Sequence, residues 1–273
     1  METYNNALRP MQQEDLPAVL AIIEAIDDDD SEEAEADYSA DGIADQFVLE
    51  IDGEVKGVTG FRLVPATEGT AWLSWTYLHV DLHGRGLGRA MLDQLRERLA
   101  EDNVRKIFAK ISDYTEPDGT APYAAAKRLY EAVGFAEELT TPDYYAPGEA
   151  LTIYGLDLQP PEEAPDPVAD EKVAIRFNGL HEIADTDGAY SFDWTVIAKP
   201  LFGKRAFSEA DLHTGLVEVK RLGGREVYLS FAANLPLIHE PLQGAGFKYA
   251  GTLKNYFEPG LDEMHFVHNL EGV

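Results

Sequence analysis

The chain has 273 residues, 45% of them hydrophobic and none of them cysteine. That suffices for two ordinary globular cores and excludes disulfides, thiolate metal sites and a cysteine nucleophile. Asp and Glu number 50 against 22 Lys plus Arg, a formal net charge of −28, which repels phosphate backbones and argues against a broad nucleic-acid-binding face. The acids are spread along the whole chain, so a salt-adapted surface is favoured over recruitment of a cationic substrate, although the two are compatible. No run approaches the roughly 20 apolar residues of a membrane helix, and the first residues carry no basic region before an apolar one. A cytoplasmic protein with neither membrane nor nucleic-acid partner is expected.

In chain order, Asp15 to Ile26 carries Leu16, Val19, Leu20, Ile22, Ile23 and Ile26 in a helical stripe. The acidic run from Asp27 to Asp37 lacks the spaced ligands and turn glycine of a calcium loop, and reads as a solvated loop. Gln46 to Ile51 and Val55 to Val64 flank Asp52-Gly53, a hairpin signal. Ala71 to Val80 reads as a buried strand, and strict alternation puts Trp72, Ser74, Thr76, Leu78 and Val80 on one face and His79 on the other. A helix follows from Gly86 to Ala100 with Leu87, Met91, Leu95 and Leu99 on one side. Lys106 to Ile111 is a short strand, and a helix from Tyr123 to Ala132 ends at Gly134. The alternation of strands and helices is that of an α/β layer.

Residues 159–171 hold four prolines within a polar stretch and read as an extended linker. The expected organisation is therefore a first domain at 1–158, a linker at 159–171 and a second domain at 172–273. Across the linker the chain repeats itself. Gly134-Phe135, Tyr144-Tyr145, Pro147-Gly148 and Leu158 are matched, at one constant offset, by Gly246-Phe247, Tyr256-Phe257, Pro259-Gly260 and Leu270. Strands of the second copy are expected at Val173 to Phe177, Tyr190 to Ala198, Gly215 to Lys220 and Val227 to Phe231.

The chemistry-bearing constellation is a strand, then His83-Gly84-Arg85-Gly86-Leu87-Gly88-Arg89, then a helix. A glycine-rich turn opening a helix leaves backbone N–H groups without intrahelical partners, and the helix dipole adds to them an anion site suited to a pyrophosphate. Glycine lets the backbone approach the phosphate and adopt positive φ. Arg85 and Arg89 place positive charge there in an otherwise acidic chain. The spacing lacks the full dinucleotide fingerprint and its acidic ribose ligand. No histidine spacing indicates a metal site, and none is expected.

The segment from Val80 to Ala90 resembles the acetyl-CoA signature of the GNAT superfamily, Arg/Gln-x-x-Gly-x-Gly/Ala. Ala126-Lys127-Arg128-Leu129-Tyr130-Glu131-Ala132-Val133-Gly134-Phe135 resembles the second motif of that family, a helix closing with Leu-Tyr-Glu-x-x-Gly-Phe. The resemblance covers roughly residues 6–158. It implies an α/β (α+β layered) fold with a mixed, mostly antiparallel twisted sheet flanked by helices, followed by a second, partial GNAT-like domain. It also implies direct transfer of an acetyl group from acetyl-CoA, or of another acyl group from its acyl-CoA, to a primary amine on a small molecule or a protein. The strand before the turn would pair with the pantetheine arm through the backbone of Leu78 and Val80. Amides from His83, Gly84, Arg85, Gly86, Leu87, Gly88 and Arg89 would hold the pyrophosphate. Tyr130 would be the general acid for the departing thiolate; the alternative is a packing residue. Tyr123 takes the place, seven residues before that tyrosine, where many relatives have asparagine, and is counted with the cofactor-binding set.

Two departures stand out. His83 replaces the usual Arg or Gln, and no carboxylate on the strand before the turn offers a general base. The second copy has Leu242 in place of Tyr130 and no glycine turn of the right spacing, so its chemistry reads as lost. It would either wall the acceptor pocket or pack against the first copy or a second subunit, which leaves a homodimer open. A non-catalytic acyl-CoA-binding module is the rival reading.

Overall fold

The computed structural model describes residues 6–170, 172–198 and 207–270; the remaining parts of the expected domains lie outside the described residues. Two compact units emerge from the packing. One comprises residues 1–110, 115–136 and 154–160, the other 111–114, 137–153 and 161–273.

The first unit begins with β1 (Asn6–Pro10), α1 (Leu16–Glu24) and α2 (Asp28–Asp41), followed by the hairpin β2 (Gln46–Ile51) and β3 (Glu54–Leu63). The hairpin turns through Asp52 and Gly53, both at positive φ, as a two-residue turn matched to strand twist requires. The acidic run expected to be a solvated loop is instead the helix α2. Asp27 caps it by accepting a hydrogen bond from the N–H of Asp30 at 3.2 Å, and Asp28, Asp29 and Asp30 occupy the first turn, where the helix dipole favours negative charge. Its few apolar residues decide the rest: Ala34 and Tyr38 are buried against Val19 and Ile23 of α1 and Val48 and Val58 of the hairpin.

Beyond the hairpin come β4 (Thr70–Leu73), β5 (Tyr77–Leu78), α3 (Leu87–Glu101), β6 (Lys106–Ser112), α4 (Ala124–Val133), β7 (Ala136–Ala146) and β8 (Glu149–Asp157). The sheet runs β1-β2-β3-β4-β6-β8-β7, with β5 paired to β3. Its pairings are antiparallel at β1·β2, β2·β3 and β3·β4 and parallel at β4·β6. Helix α3 lies on the face opposite α1 and α2. Val58 belongs to the core under those two helices, whereas a Cβ on the neighbouring Gly57 would lie 3.1 Å from Met91 Sδ of α3, and successive strand residues point to opposite faces.

The second sheet holds β9 (Val173–Glu182), β10 (Ala189–Ala198), β11 (Glu226–Ala232), β12 (Lys248–Glu258) and β13 (Leu261–Asn269), with α5 (Glu209–Leu222) and α6 (His239–Gly244). Its order, β9-β10-β11-β13-β12, repeats the β3-β4-β6-β8-β7 part of the first sheet strand for strand. The expected strand at Gly215 to Lys220 lies inside α5. Leu212, Leu216 and Val219 are all buried, a spacing of four and three that only a helix points one way; the short window hid its first member.

The repeat extends to backbone detail. Asp143 and Asn255 are both at positive φ, and their side chains accept from the N–H of Gly148 at 2.6 Å and of Gly260 at 3.0 Å. Arg105 N–H donates to the Gly69 carbonyl at 2.8 Å, and Arg225 N–H to that of Gly188 at 2.7 Å. Both arginines are buried. Arg225 also donates to the carbonyls of Asp143 and Tyr144, at the tip of β7. Residues 160–169 have no regular structure, yet Val168 donates to the Asn234 carbonyl at 2.8 Å and packs on the core of the second unit.

Candidate acyl-CoA site

The strand expected at residues 71–80 is broken in two. β4 pairs with β6 only through Thr70, Ala71 and Trp72, and β5 then pairs with β3 alone. Four steps from Leu73 to Tyr77 face three from Phe61 to Val58, so one extra residue bulges at Ser74–Thr76. This corrects the expected alternation. The bulge shifts parity, so Trp72 and Leu78 cannot be assigned to one face by counting. Tyr77 and Trp75 pack on the core beneath α1 and α2, while Leu78 approaches Gly57 on the α3 side.

Past the bulge β5 has an edge with no strand beside it among the described residues. His79 N–H donates to the Lys56 carbonyl at 2.9 Å, which makes Leu78, opposite Gly57, a pair whose N–H and C=O point away from β3. The Leu78 carbonyl accepts from His83 Nε2 at 2.7 Å, which requires the proton on that nitrogen. His83 therefore braces the turn against the strand end. Val80 is not on a strand. It begins a 3-10 turn, Val80–Leu82, and its carbonyl accepts from the His83 N–H at 3.2 Å. The carbonyls of Leu78 and Val80 are thus both engaged by His83, and the outward N–H of Leu78 is left as the strand's contact for an extended amide.

In the turn itself Gly84 and Gly86 sit at φ +73° and +79°, with no atom within 4 Å of where a Cβ would stand. Gly86 caps α3 in the left-handed region and gives no side-chain hydrogen bond. The first intrahelical bond runs from Ala90 N–H to the Gly86 carbonyl at 3.1 Å. The N–H groups of Leu87, Gly88 and Arg89 have no acceptor among the described residues, the arrangement that binds an anion. No acidic residue stands in the first turn of α3. Arg85 and Arg89 are exposed beside it, and Leu87 turns inward to the core. Gly88 serves packing instead. A Cβ there would be 3.3 Å from Leu129 Cδ2, so the glycine admits the close approach of α4 to α3.

A constellation not anticipated from sequence lies along α2. The Tyr77 hydroxyl donates to the Asp30 carboxylate, and the Tyr123 hydroxyl to Asp27 at 3.2 Å. Trp75 Nε1 donates to Asp37 at 3.0 Å. Burial, then the hydrogen bond to Asp30, push the Tyr77 hydroxyl well above the usual phenol range. Asp37 is paired with Arg62 at 3.1 Å, but no Lys or Arg pairs with Asp27 among the described residues. The Tyr123 hydroxyl thus meets a carboxylate. The signal in the sequence was the acidic run itself; its pairing with β5 depends on the bulge.

Tyr130, on α4, is buried with its ring 5.3 Å from that of Phe135, and burial raises the pKa of its hydroxyl. The hydroxyl is therefore protonated at neutral pH and a weaker acid than an exposed phenol. Its counterpart Leu242 is buried and apolar.

Residues 6–135 match the model of the acetyltransferase (GNAT) family. This stretch of the chain is a GNAT acetyltransferase domain. No match was found among curated proteins. Among solved structures, a GNAT-family protein from Desulfovibrio desulfuricans is 26% identical with a TM-score of 0.48, over 56% of this chain and 99% of that one. A Salmonella typhimurium protein solved with its cofactor acetyl-CoA is 24% identical with a TM-score of 0.44, over 59% of this chain and 98% of that one. The Escherichia coli ribosomal-protein-S18-alanine N-acetyltransferase is 24% identical with a TM-score of 0.44, over 58% and 97%. No described helix is long and apolar enough to cross a membrane.

Proposed function

We propose that the protein is an N-acetyltransferase that moves the acetyl group of acetyl-CoA directly to a cationic primary amine. The observation that carries this reading is the continuity of one anion site and one open strand edge. The unpaired N–H groups of Leu87, Gly88 and Arg89 receive the pyrophosphate, and the outward N–H of Leu78 receives the amide-bearing arm. At the other end of β5, Asp27 and Asp30 attract an ammonium group and hold Tyr123 and Tyr77. The amine loses a proton to water or to one of these carboxylates, and its nitrogen attacks the thioester carbonyl. The C–S bond breaks as the thiolate takes the proton of Tyr130, and the acylated nitrogen gives up its second proton, through solvent, to restore the tyrosine. As units of duplication, residues 1–158 carry the chemistry and 172–273 are a degenerate GNAT-like copy joined by 159–171.

The test is turnover of acetyl-CoA over a panel of polyamines, aminoglycosides, lysine and peptides with free N-termini, read as released thiol. Saturable thiol release with a cationic amine, with KM for that amine raised about tenfold in Asp30→Asn (roughly 1.4 kcal/mol), is expected. Tight acetyl-CoA binding with no amine acetylated would instead leave a binding module without turnover.

A further inference from the structure

The second sheet contains a cleft of its own. β10 and β11 run parallel only through three pairs, from Ala189↔Glu226 to Ser191↔Tyr228, and then part. Beyond that point β10 remains paired to β9 and β11 to β13, so two strand edges face each other without pairing among the described residues. A cavity of about 350 Å³ lies there, touched by Ser191, Phe192, Asp193 and Trp194 of β10 and by Ser230 and Phe231 of β11. Consecutive residues of β10 reach it although their side chains alternate, so it follows the edge of the strand and not one face of the sheet. An occupant would lie in the plane of the sheet, as a strand does, with its amides meeting the open backbone and its side chains against Phe192, Trp194 and Phe231.

The charge of the surroundings decides what kind of chain fits. Helix α5 is capped by Ser208, whose hydroxyl accepts from the Asp211 N–H at 3.3 Å, and it carries Glu209 and Asp211 in its first turn. That helix start is already capped and is negative, unlike α3 with its bare Gly86 cap. A pyrophosphate is therefore disfavoured. Asp193, exposed on the cavity wall and paired among the described residues with His181 at 3.1 Å, favours a cation, as does the net charge of −28. We infer that the β10–β11 cleft of the second unit binds an extended basic peptide segment by adding it to the sheet, and that it does not take a second acyl-CoA.

The test uses the full chain and a fluorescein-labelled, N-acetylated and amidated peptide of alternating arginine and valine, titrated by fluorescence anisotropy. One saturable, salt-sensitive site per chain is expected. Ser230→Trp, which fills the cleft, should abolish it, and Asp193→Lys, at an exposed position, should weaken it at least tenfold. Acetyl-CoA binding should be unchanged in both. Absence of saturable binding, or binding that neither substitution alters, would overturn the inference. So would calorimetry giving two equivalents of acetyl-CoA per chain, one of them removed by Ser230→Trp. If Ser230→Trp does not fold, Asp193→Lys decides alone.

Discussion

Two parallel strand pairs in this chain open after three residues, and each leads on to a helix, yet the two helix starts have opposite electrostatics. At α3 the cap is a left-handed glycine with no side chain, the first turn holds no acid, and three N–H groups have no acceptor among the described residues. At α5 a serine occupies the cap and two acids fill the first turn. The strand order is common to both, so topology alone does not make a phosphate site. The few residues that satisfy or expose a helix N-terminus make it.

The largest effect that would break this comparison is expected at Gly86. Gly86→Glu places a carboxylate where the anion belongs and strains a residue at φ +79°, and should weaken acetyl-CoA binding about a thousandfold, roughly 4 kcal/mol, by calorimetry. The space around Gly86 is open, so the cost to folding is the strain at positive φ, about 1–2 kcal/mol, and melting should fall by a few degrees with the protein still folded. Normal acetyl-CoA affinity in Gly86→Glu would remove the pyrophosphate from this turn.

The buried arginines come next. Arg225 pairs with the buried Glu226 at 3.1 Å and donates to three main-chain carbonyls. Arg225→Met should cost about 3–5 kcal/mol in urea unfolding, because a buried carboxylate is left without its cation. Adding Glu226→Met should recover part of that loss. A double variant no more stable than the single would mean that the carbonyls, not the charge, dominate.

Third is the tyrosine that the second copy lacks. Tyr130→Phe should lower kcat about a hundredfold with little change in KM for acetyl-CoA, and the reverse exchange Leu242→Tyr should leave activity unaltered. Because burial raises the Tyr130 pKa, the wild-type rate should show no alkaline loss from this group near the ordinary phenol range. An equal loss of kcat with a leaving thiol of low pKa would make Tyr130 a packing residue.

What the sequence revealed depended on the range of the interactions involved. The turn from His83 to Arg89, the helix ending at Gly134 and the repeat from Gly246 onward are local patterns, and each lies where spacing placed it. Parity along residues 71–80 was not legible, since a bulge depends on how β3 pairs opposite it. Nor was α2 legible: Asp27 to Asp37 has the composition of a solvated loop, and it takes the packing of Ala34 and Tyr38 on α1 and a distant hairpin, added to the Asp27 cap, to make it a helix. For the same reason Asp27 and Asp30 could not be connected with Tyr123 and Tyr77. His83, a departure from the family pattern, has a role only once the Leu78 carbonyl is seen 2.7 Å from its ring.

The smallest expected effect separates the glycines of the turn from one another. Gly88 is helical, and its added Cβ would lie 3.3 Å from the end of the Leu129 side chain, which can shift by a few tenths of an ångström. Against that pinch, alanine in place of glycine stabilises a helix by up to about 1 kcal/mol. Gly88→Ala should therefore change stability by less than about 1 kcal/mol, and KM for acetyl-CoA less than threefold, because the N–H of residue 88 is retained. A tenfold rise in that KM without loss of stability would mean that the phosphate presses on the α-carbon of residue 88. The closest approach in the turn would then belong to the third glycine, and the gap between α3 and α4 would be part of the binding site.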